Sequence, residues 1–173
     1  MLEAPGAAAS AARAPLKGTL LLSAGTLDSF YDADSLVFSR APGERQYYQF
    51  ASWTERPARR IAQLAQVRLE ARGGFAAVAS LTSGVAGDLV LNLAVADFYH
   101  DATASPGTVR VALVAELVDI RTRRLLGRRT FTASAAVGTD DARGAVQAFD
   151  RATAEALDAL APWVETTAAA AAR

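Results

Sequence analysis

Three long segments in the second half of the chain alternate between large apolar residues and small or polar ones. They are residues 88–101 (DLVLNLAVADFYHD), 108–120 (TVRVALVAELVDI) and 128–138 (RRTFTASAAVG). Successive side chains of a β-strand point to opposite faces, so each segment predicts a strand with one apolar face. Short turns separate the segments, and the sequence therefore predicts an antiparallel three-strand meander.

The first half of the chain contains four shorter candidate strands. Residues 18–24 (GTLLLSA) are apolar enough for a central strand, and residues 75–80 (FAAVAS) predict another short one. Between them, apolar residues alternate on both sides of a turn at residues 41–44 (APGE). This pattern predicts a hairpin in which Tyr48 and Phe50 point together toward the core.

The first of two predicted amphipathic helices follows Trp53. Thr54 is its expected N-cap, and Gly73 and Gly74 are expected to end it. Its apolar stripe is formed by Ile61, Leu64, Ala65 and Leu69.

The second helix is expected after the capping pair Asp140 and Asp141, and Pro162 is expected to loosen or end it. Its apolar stripe is Val146, Phe149, Thr153, Ala156, Leu157, Leu160 and Val164. The predicted fold is therefore α+β: a single mixed, largely antiparallel sheet with a C-terminal meander and both helices packed on one face.

The length of 173 residues and the hydrophobic content of 51% favour one folded domain. We predict a flexible N-terminal tether over residues 1–17, the domain over 18–165, and a disordered tail over 166–173. The Ala- and Pro-rich composition of the first segment and the run of alanines near the C-terminus are the reasons.

Charge and composition exclude several classes of function. The formal net charge is zero, which disfavours nucleic-acid binding. Five arginines between positions 121 and 129 flank a predicted turn, and we interpret this segment as the solvated tip of a hairpin. Cysteine is absent from the sequence, which removes thiolate catalysis and the usual zinc ligand sets.

Catalytic and metal-binding signatures are also weak. His100 is the only histidine, and strand alternation separates it from Asp97, so we expect a solvent-exposed residue at a strand end rather than a catalytic one. Asp32 and Asp34 lack the surrounding ligands of a calcium loop. No phosphate-binding glycine loop or nucleophile elbow occurs in the sequence. We predict no enzyme activity, no cofactor and no metal.

Four aromatic residues, Tyr47, Tyr48, Phe50 and Trp53, leave two interpretations open. They form either part of the core or a surface for a lipid or a partner. Trp53, immediately before the first helix, is most simply a plug between helix and sheet.

The order of these features resembles a known protein family. The stretch from Ser35 to Arg40, the run YYQFASW (47–53) followed by Pro57, and the pair Asp97 and Phe98 late in a long strand carry the resemblance. Between Gly18 and Val164 the chain is similar to the ABC-type transport auxiliary lipoproteins.

This resemblance implies a periplasmic protein, lipid-anchored through an N-terminal cysteine that the given sequence lacks, usually to the outer membrane. It implies an MCE-type (mammalian cell entry) substrate-binding protein, an ABC permease and its ATPase as partners, in the transport of phospholipid or other hydrophobic compounds. The family provides no catalytic residues to carry over.

Two hypotheses follow. The first is a non-enzymatic transport accessory, and the alternative is a small hydrophobic-ligand binding module with a pocket between the aromatic cluster and the first helix. The candidate partner or ligand surface consists of Tyr47, Tyr48, Trp53, Asp97 and Phe98. Small residues on the long strands are expected either to permit homo-oligomer contacts or to accommodate the helices; they are Ala94, Ala96, Ala112 and Ala133.

Overall fold

Seven strands and two long helices make up the part of the chain that the structure describes. The structure is a computed structural model and describes residues 16–27, 29–31, 33–139 and 141–172. The elements are β1 (Leu16–Thr26), β2 (Ser35–Ser39), β3 (Gln46–Ser52), α1 (Pro57–Arg72), β4 (Phe75–Ser80), β5 (Leu89–Asp101), β6 (Thr108–Asp119), β7 (Arg124–Ala136) and α2 (Ala142–Ala171), with 3-10 turns at Ser29–Tyr31 and Leu81–Ser83.

Strand β5 is the centre of one mixed sheet. One of its edges pairs with antiparallel β6 over its whole length, and β6 pairs in turn with antiparallel β7. The other edge is shared: parallel β1 pairs with its first half, and parallel β2 pairs with its last two residues. Strand β4 is parallel to β1, and β3 is antiparallel to β2. The predicted α+β class, with its mixed sheet and C-terminal meander, is confirmed.

A β-bulge in the middle of β5 changes which residues face the helices. Val95 pairs with Leu113 and Asp97 pairs with Ala112, so Ala96 is an extra residue on β5. Since side chains alternate along a strand, one inserted residue reverses the faces beyond it. Odd-numbered residues face the helices before the bulge, whereas after it the even-numbered residues up to position 100 do so.

Both helices cover the same face of the sheet. Helix α1 lies over β1 and β4, α2 lies over β6 and β7, and the two helices contact each other. The apolar stripe predicted for α1 is buried, and Phe149 of α2 is completely buried. Burying these faces in one layer supplies the hydrophobic contribution that holds the helices on the sheet.

Helix α1 begins at Pro57, so the prediction that Thr54 caps it is wrong. The N-cap residue is Arg56, which makes no side-chain capping bond. Proline suits the first helical position because its missing N–H would lack an intrahelical partner there. Gly73, with a φ of 65°, ends the helix as predicted.

Helix α2 begins as predicted but runs further than expected. Asp141 is its N-cap, and its side chain accepts a hydrogen bond from the N–H of Gly144 at 2.7 Å; Asp140 lies outside the described residues. The prediction that Pro162 ends the helix is wrong, because the helix continues to Ala171. Val164 and Ala168 are buried beyond the proline, and this packing offsets its cost of about 3 kcal/mol.

The predicted boundaries of the domain therefore differ from the observed elements. Residues 166–171, assigned to a disordered tail, form the last turns of α2, and residues 16–17, assigned to the tether, begin β1. Residues 1–15 of the tether and Arg173 lie outside the described residues.

Candidate functional site

The β2–β3 hairpin displays a phenylalanine ring in solvent. Phe50 is 98% exposed, and Tyr47 is 43% exposed and stacks on Phe30 with ring centroids 5.3 Å apart. The register explains this placement, because Ser35 pairs with Ser52 whereas Val37 pairs with Tyr47. The extra β3 residues interrupt the alternation of faces. The prediction that Tyr48 and Phe50 point together toward the core is wrong.

A groove of about 740 Å³ lies beside Phe50. It is bounded by β3, by the loop at residues 102–105 and by the first residue of α2, Ala142. Tyr48 and Phe38 line it, together with the small side chains of Ala102 and Ala104. We call Tyr47, Phe50 and this groove the β3 surface. The alternative hypothesis placed a pocket against α1, but the residues that line the groove beside the aromatic cluster do not include any from α1.

His100 supports the groove from inside the protein. It is 0% exposed, so the expectation of a solvent-exposed histidine is wrong. Its Nε2 donates to the carbonyl oxygen of Pro106 at 2.8 Å, and in the neutral imidazole its Nδ1 accepts from the hydroxyl of Tyr48 at 2.7 Å. The β5 bulge brings His100 to this face. Both ring nitrogens make structural bonds that hold the 102–107 loop and Tyr48 in place.

Gly107 completes the support beneath the loop. Its φ is +87°, and a Cβ built there would lie 2.3 Å from the carbonyl oxygen of Asp101 and 2.7 Å from Nε2 of His100. Only glycine fits both the left-handed backbone and this close approach. The loop therefore has little freedom to move relative to β5.

A cluster on the opposite face of the sheet fixes the start of β3. The Tyr31 hydroxyl donates to Oδ1 of Asp97 at 3.2 Å and accepts from Nε of Arg45 at 3.1 Å. The guanidinium of Arg45 lies 3.6 Å from the centroid of the Tyr99 ring. Burial raises the pKa of Tyr31, against the opposing effect of Arg45, so the phenol stays protonated and remains a donor. Asp97 thus anchors the hairpin.

Trp53 and Phe98 belong to the core. They are 7% and 2% exposed, and both rings contact Phe149 of α2, at centroid distances of 5.3 and 4.3 Å. The interpretation of Trp53 as a plug between helix and sheet is confirmed. Neither ring reaches the surface.

The described residues contain neither a metal-binding cluster nor a helix that could span a membrane. Among them, no group of three or more histidine, aspartate or glutamate side chains is arranged to hold a metal ion. No helix in the described ranges is both long and apolar enough to cross a membrane. Asp32, one of the two aspartates that lack the other ligands of a calcium loop, lies outside the described residues.

Comparison with known proteins places the chain in a family. The family model of the ABC-type transport auxiliary lipoprotein component matches residues 1–161. The chain belongs to this family. No curated protein matches the sequence significantly.

Solved structures share the fold of this transport auxiliary lipoprotein. Protein XCC0632 from Xanthomonas campestris is similar over 99% of both chains, with 23% identity and a TM-score of 0.85. PelC from Paraburkholderia phytofirmans, crystallised as a dodecamer, has 18% identity over 90% of this chain and 93% of its own, with a TM-score of 0.52. At these identities the likeness establishes the fold alone.

The structure of the lipoprotein divides the five residues of the predicted surface. Tyr47 is exposed, Tyr48 and Asp97 are partly buried, and Trp53 and Phe98 are in the core. Phe50 is the surface residue that the sequence interpretation missed. The sequence carried no signal for it, because the lengths of β2 and β3, five and seven residues, and their register are known only from the structure.

The four alanines of the long strands occupy three kinds of position. Ala94 and Ala112 lie on the sheet face away from the helices, and Ala96 forms the bulge. Ala133 pairs with core residue Val111 and faces the helix layer. Ala112 is only 7% exposed, so Ala94 remains the candidate for a contact between copies.

Proposed function

We propose that this lipoprotein is a non-enzymatic periplasmic accessory of an MCE-type ABC transport system. In this proposal it is anchored to the outer membrane through an N-terminal lipid and helps to move phospholipid or another hydrophobic compound across the envelope. The family match over residues 1–161 is the observation that carries the proposal.

The β3 surface is the proposed docking site for the MCE-type protein. A fully exposed phenylalanine beside a groove is the kind of apolar anchor that protein interfaces bury. The surface is pre-organised, because the bond between His100 and Tyr48 and the bond between Arg45 and Tyr31 hold β3 and the residue before it at two points. Such rigidity lowers the entropic cost of binding.

Capture from native envelopes tests this assignment. The anchored full-length protein is used as bait in detergent-solubilised envelopes, and captured proteins and lipids are identified by mass spectrometry. Phe50→Ser is expected to lose the MCE-type protein and the permease. Val67→Ser, which changes an exposed valine on α1, is the matched control and should retain them. Equal capture by both variants would exclude the β3 surface, and capture of no transport component by the wild type would contradict the function.

Self-association is a further part of the proposal. The PelC relatives form dodecamers, and Ala94 offers a small, partly exposed side chain on the sheet face away from the helices for close approach. Ala94→Arg is expected to leave the fold intact and reduce the mass measured by light scattering. An unchanged mass for an oligomeric wild type would exclude this face.

The groove also favours a second candidate, binding of a small hydrophobic ligand. Its volume of about 740 Å³ lies within the usual size of ligand sites. Native mass spectrometry of gently purified protein would show a stoichiometric small molecule, and Ala104→Trp would remove it by filling the groove. A ligand-free spectrum would leave the docking proposal as the better one.

A further inference from the structure

The turn between β6 and β7 combines exposed arginines with exposed apolar side chains. Arg121, Arg123 and Arg124 are all exposed, and they stand between Ile120 and Leu125, which are 38% and 54% exposed. We call residues 119–125 the β6–β7 tip. Asp119 stabilises it by accepting a hydrogen bond from the N–H of Thr122 at 2.7 Å. The sequence indicated a solvated hairpin tip, but the two apolar residues are unfavourable in water.

The tip lies at the end of the sheet where β1 begins. The N–H of Ile120 donates to the carbonyl of Asp88 at 3.0 Å, and the N–H of Asp88 donates to the carbonyl of Thr19 at 2.9 Å. Thr19 is three residues after Leu16, the first residue of β1. The first residues of β1 therefore lie at the same end of the sheet as the tip. In the proposed anchoring, an N-terminal lipid holds this same end toward the bilayer.

The local charge of the tip differs from that of the whole protein. The tip, residues 119–125, contains three arginines and one aspartate, a formal charge of +2, although the whole chain has a net charge of zero. The neighbouring Asp88, whose backbone bonds to Ile120, reduces the local charge to +1. The end of the sheet where β1 begins is therefore locally basic.

Additional apolar surface is available at the same end. A groove of about 520 Å³ opens next to Arg121. Phe75, Leu89, Leu126 and the last residues of α2 line it, together with Asp88 and Asp119. Basic side chains beside apolar ones are typical of surfaces that lie at the boundary between lipid head groups and acyl chains.

We propose that the β6–β7 tip docks the folded domain onto a bilayer of anionic phospholipid. The arginines contact lipid phosphates, and Ile120 and Leu125 enter the head-group layer. This membrane contact is an addition to the proposed transport role. The tip lies where β5 begins and the β3 surface lies where β5 ends, so the contact orients the β3 surface away from the membrane. The docking does not require the proposed N-terminal anchoring, which would add a second attachment at the same end of the sheet.

Binding to vesicles tests the proposal with the full chain. The probes are vesicles of phosphatidylethanolamine with and without phosphatidylglycerol, and binding is measured by flotation. The tip variant combines Arg121→Gln, Arg123→Asn and Arg124→Gln; asparagine is chosen because Arg123 has a φ of 56°. Each arginine near an anionic surface contributes roughly fivefold, so the variant should bind on the order of a hundredfold more weakly.

A control variant with the same change in charge separates the tip from general electrostatics. Arg40→Gln, Arg56→Gln and Arg143→Gln lie near the opposite end of the sheet and should leave binding near the wild-type value. Added salt should weaken wild-type binding, since exposed charges are screened. Circular dichroism of both variants checks that they are folded.

A labelled variant reports the contact directly. Because the sequence has no cysteine, Leu125→Cys and Ala104→Cys each carry a single environment-sensitive fluorophore, one at the tip and one beside the β3 surface. Anionic vesicles should shift the emission of the first to shorter wavelength and leave the second unchanged. Equal binding of the tip and control variants, or a shift at position 104 alone, would overturn the proposal.

These experiments distinguish a failure of the membrane-docking proposal from a failure of the transport proposal. If the tip variant loses captured envelope proteins while vesicle binding is unchanged, the tip contacts a protein and membrane docking is wrong. If vesicle binding is lost in the tip variant while wild-type envelopes yield no transport component, docking stands and the transport function fails.

Discussion

The ion pair between Arg72 and Glu165 joins the ends of the two helices, and breaking it should be costly. Nε and Nη2 of Arg72 donate to the two carboxylate oxygens of Glu165 at 2.7 and 2.8 Å. The Glu165 side chain is only 9% exposed and that of Arg72 is 28% exposed. Removing one partner of a fully buried pair costs about 3–5 kcal/mol. Because water reaches Arg72, we expect a smaller loss than for a fully buried pair: Arg72→Met should lower the free energy of unfolding by about 2–3 kcal/mol.

A double-mutant cycle measures this coupling. The free energy of unfolding in urea is determined for Arg72→Met, Glu165→Leu and the double variant. The double variant leaves no charge buried, so it should be more stable than Arg72→Met, with a coupling energy of about 2 kcal/mol. The neighbouring pair Arg68 and Asp158 is the matched control: Asp158 is 70% exposed, and its coupling should stay below about 1 kcal/mol. Similar coupling energies for both pairs would refute the reasoning from burial.

Three further predictions concern the core and the groove. Phe149→Ala should lower the free energy of unfolding by about 3–5 kcal/mol, because it opens a cavity beneath Trp53. Phe50→Ala should change this free energy by less than about 0.5 kcal/mol, because Phe50 is exposed. Equal losses in the two variants would contradict the assignment of Phe149 to the core and Phe50 to the surface. Gly107→Ala should strain the left-handed turn and collide with Asp101, and an unchanged melting temperature would show that the loop adapts freely. Hydrogen bonds from Thr103, and then the hydrogen bond and charge of Arg110, lower the pKa of Asp101. The ionised Asp101 therefore stabilises the fold above its unfolded pKa of about 3.9, and this stabilisation is lost as the pH falls through the lower folded pKa. The stability difference between wild type and Asp101→Asn should therefore be larger at pH 6 than at pH 3, and a constant difference would exclude this linkage.

The core of the fold was accessible from the sequence because its signals are local. The period-two pattern of β5, β6 and β7 and the helical stripe of α1 each follow from which residues must avoid water. Trp53 was recognised as a plug because it stands between a strand and a helix. The family resemblance added the expected partners.

The candidate site was less accessible because it depends on register. The extra residues in β3 place Phe50 in solvent, and the bulge at Ala96 places His100 in the interior. A bulge is decided by how neighbouring strands align, and no single segment carries that information. The sequence therefore located the candidate surface in the β2–β3 hairpin, but it could not identify which side chains of the hairpin are exposed.

The sequence by itself determined the mixed α+β class, the meander, both amphipathic helices and the absence of cysteine chemistry, because these depend on residue identity and local spacing. Only the tertiary structure decided the length of α2, where buried contacts beyond Pro162 outweigh its local preference to break the helix. It also decided the proximity of the β6–β7 tip to the start of β1, more than a hundred residues away in sequence. Such placements arise from long-range pairing of strands, and pairing energies are realised only when the whole sheet is assembled.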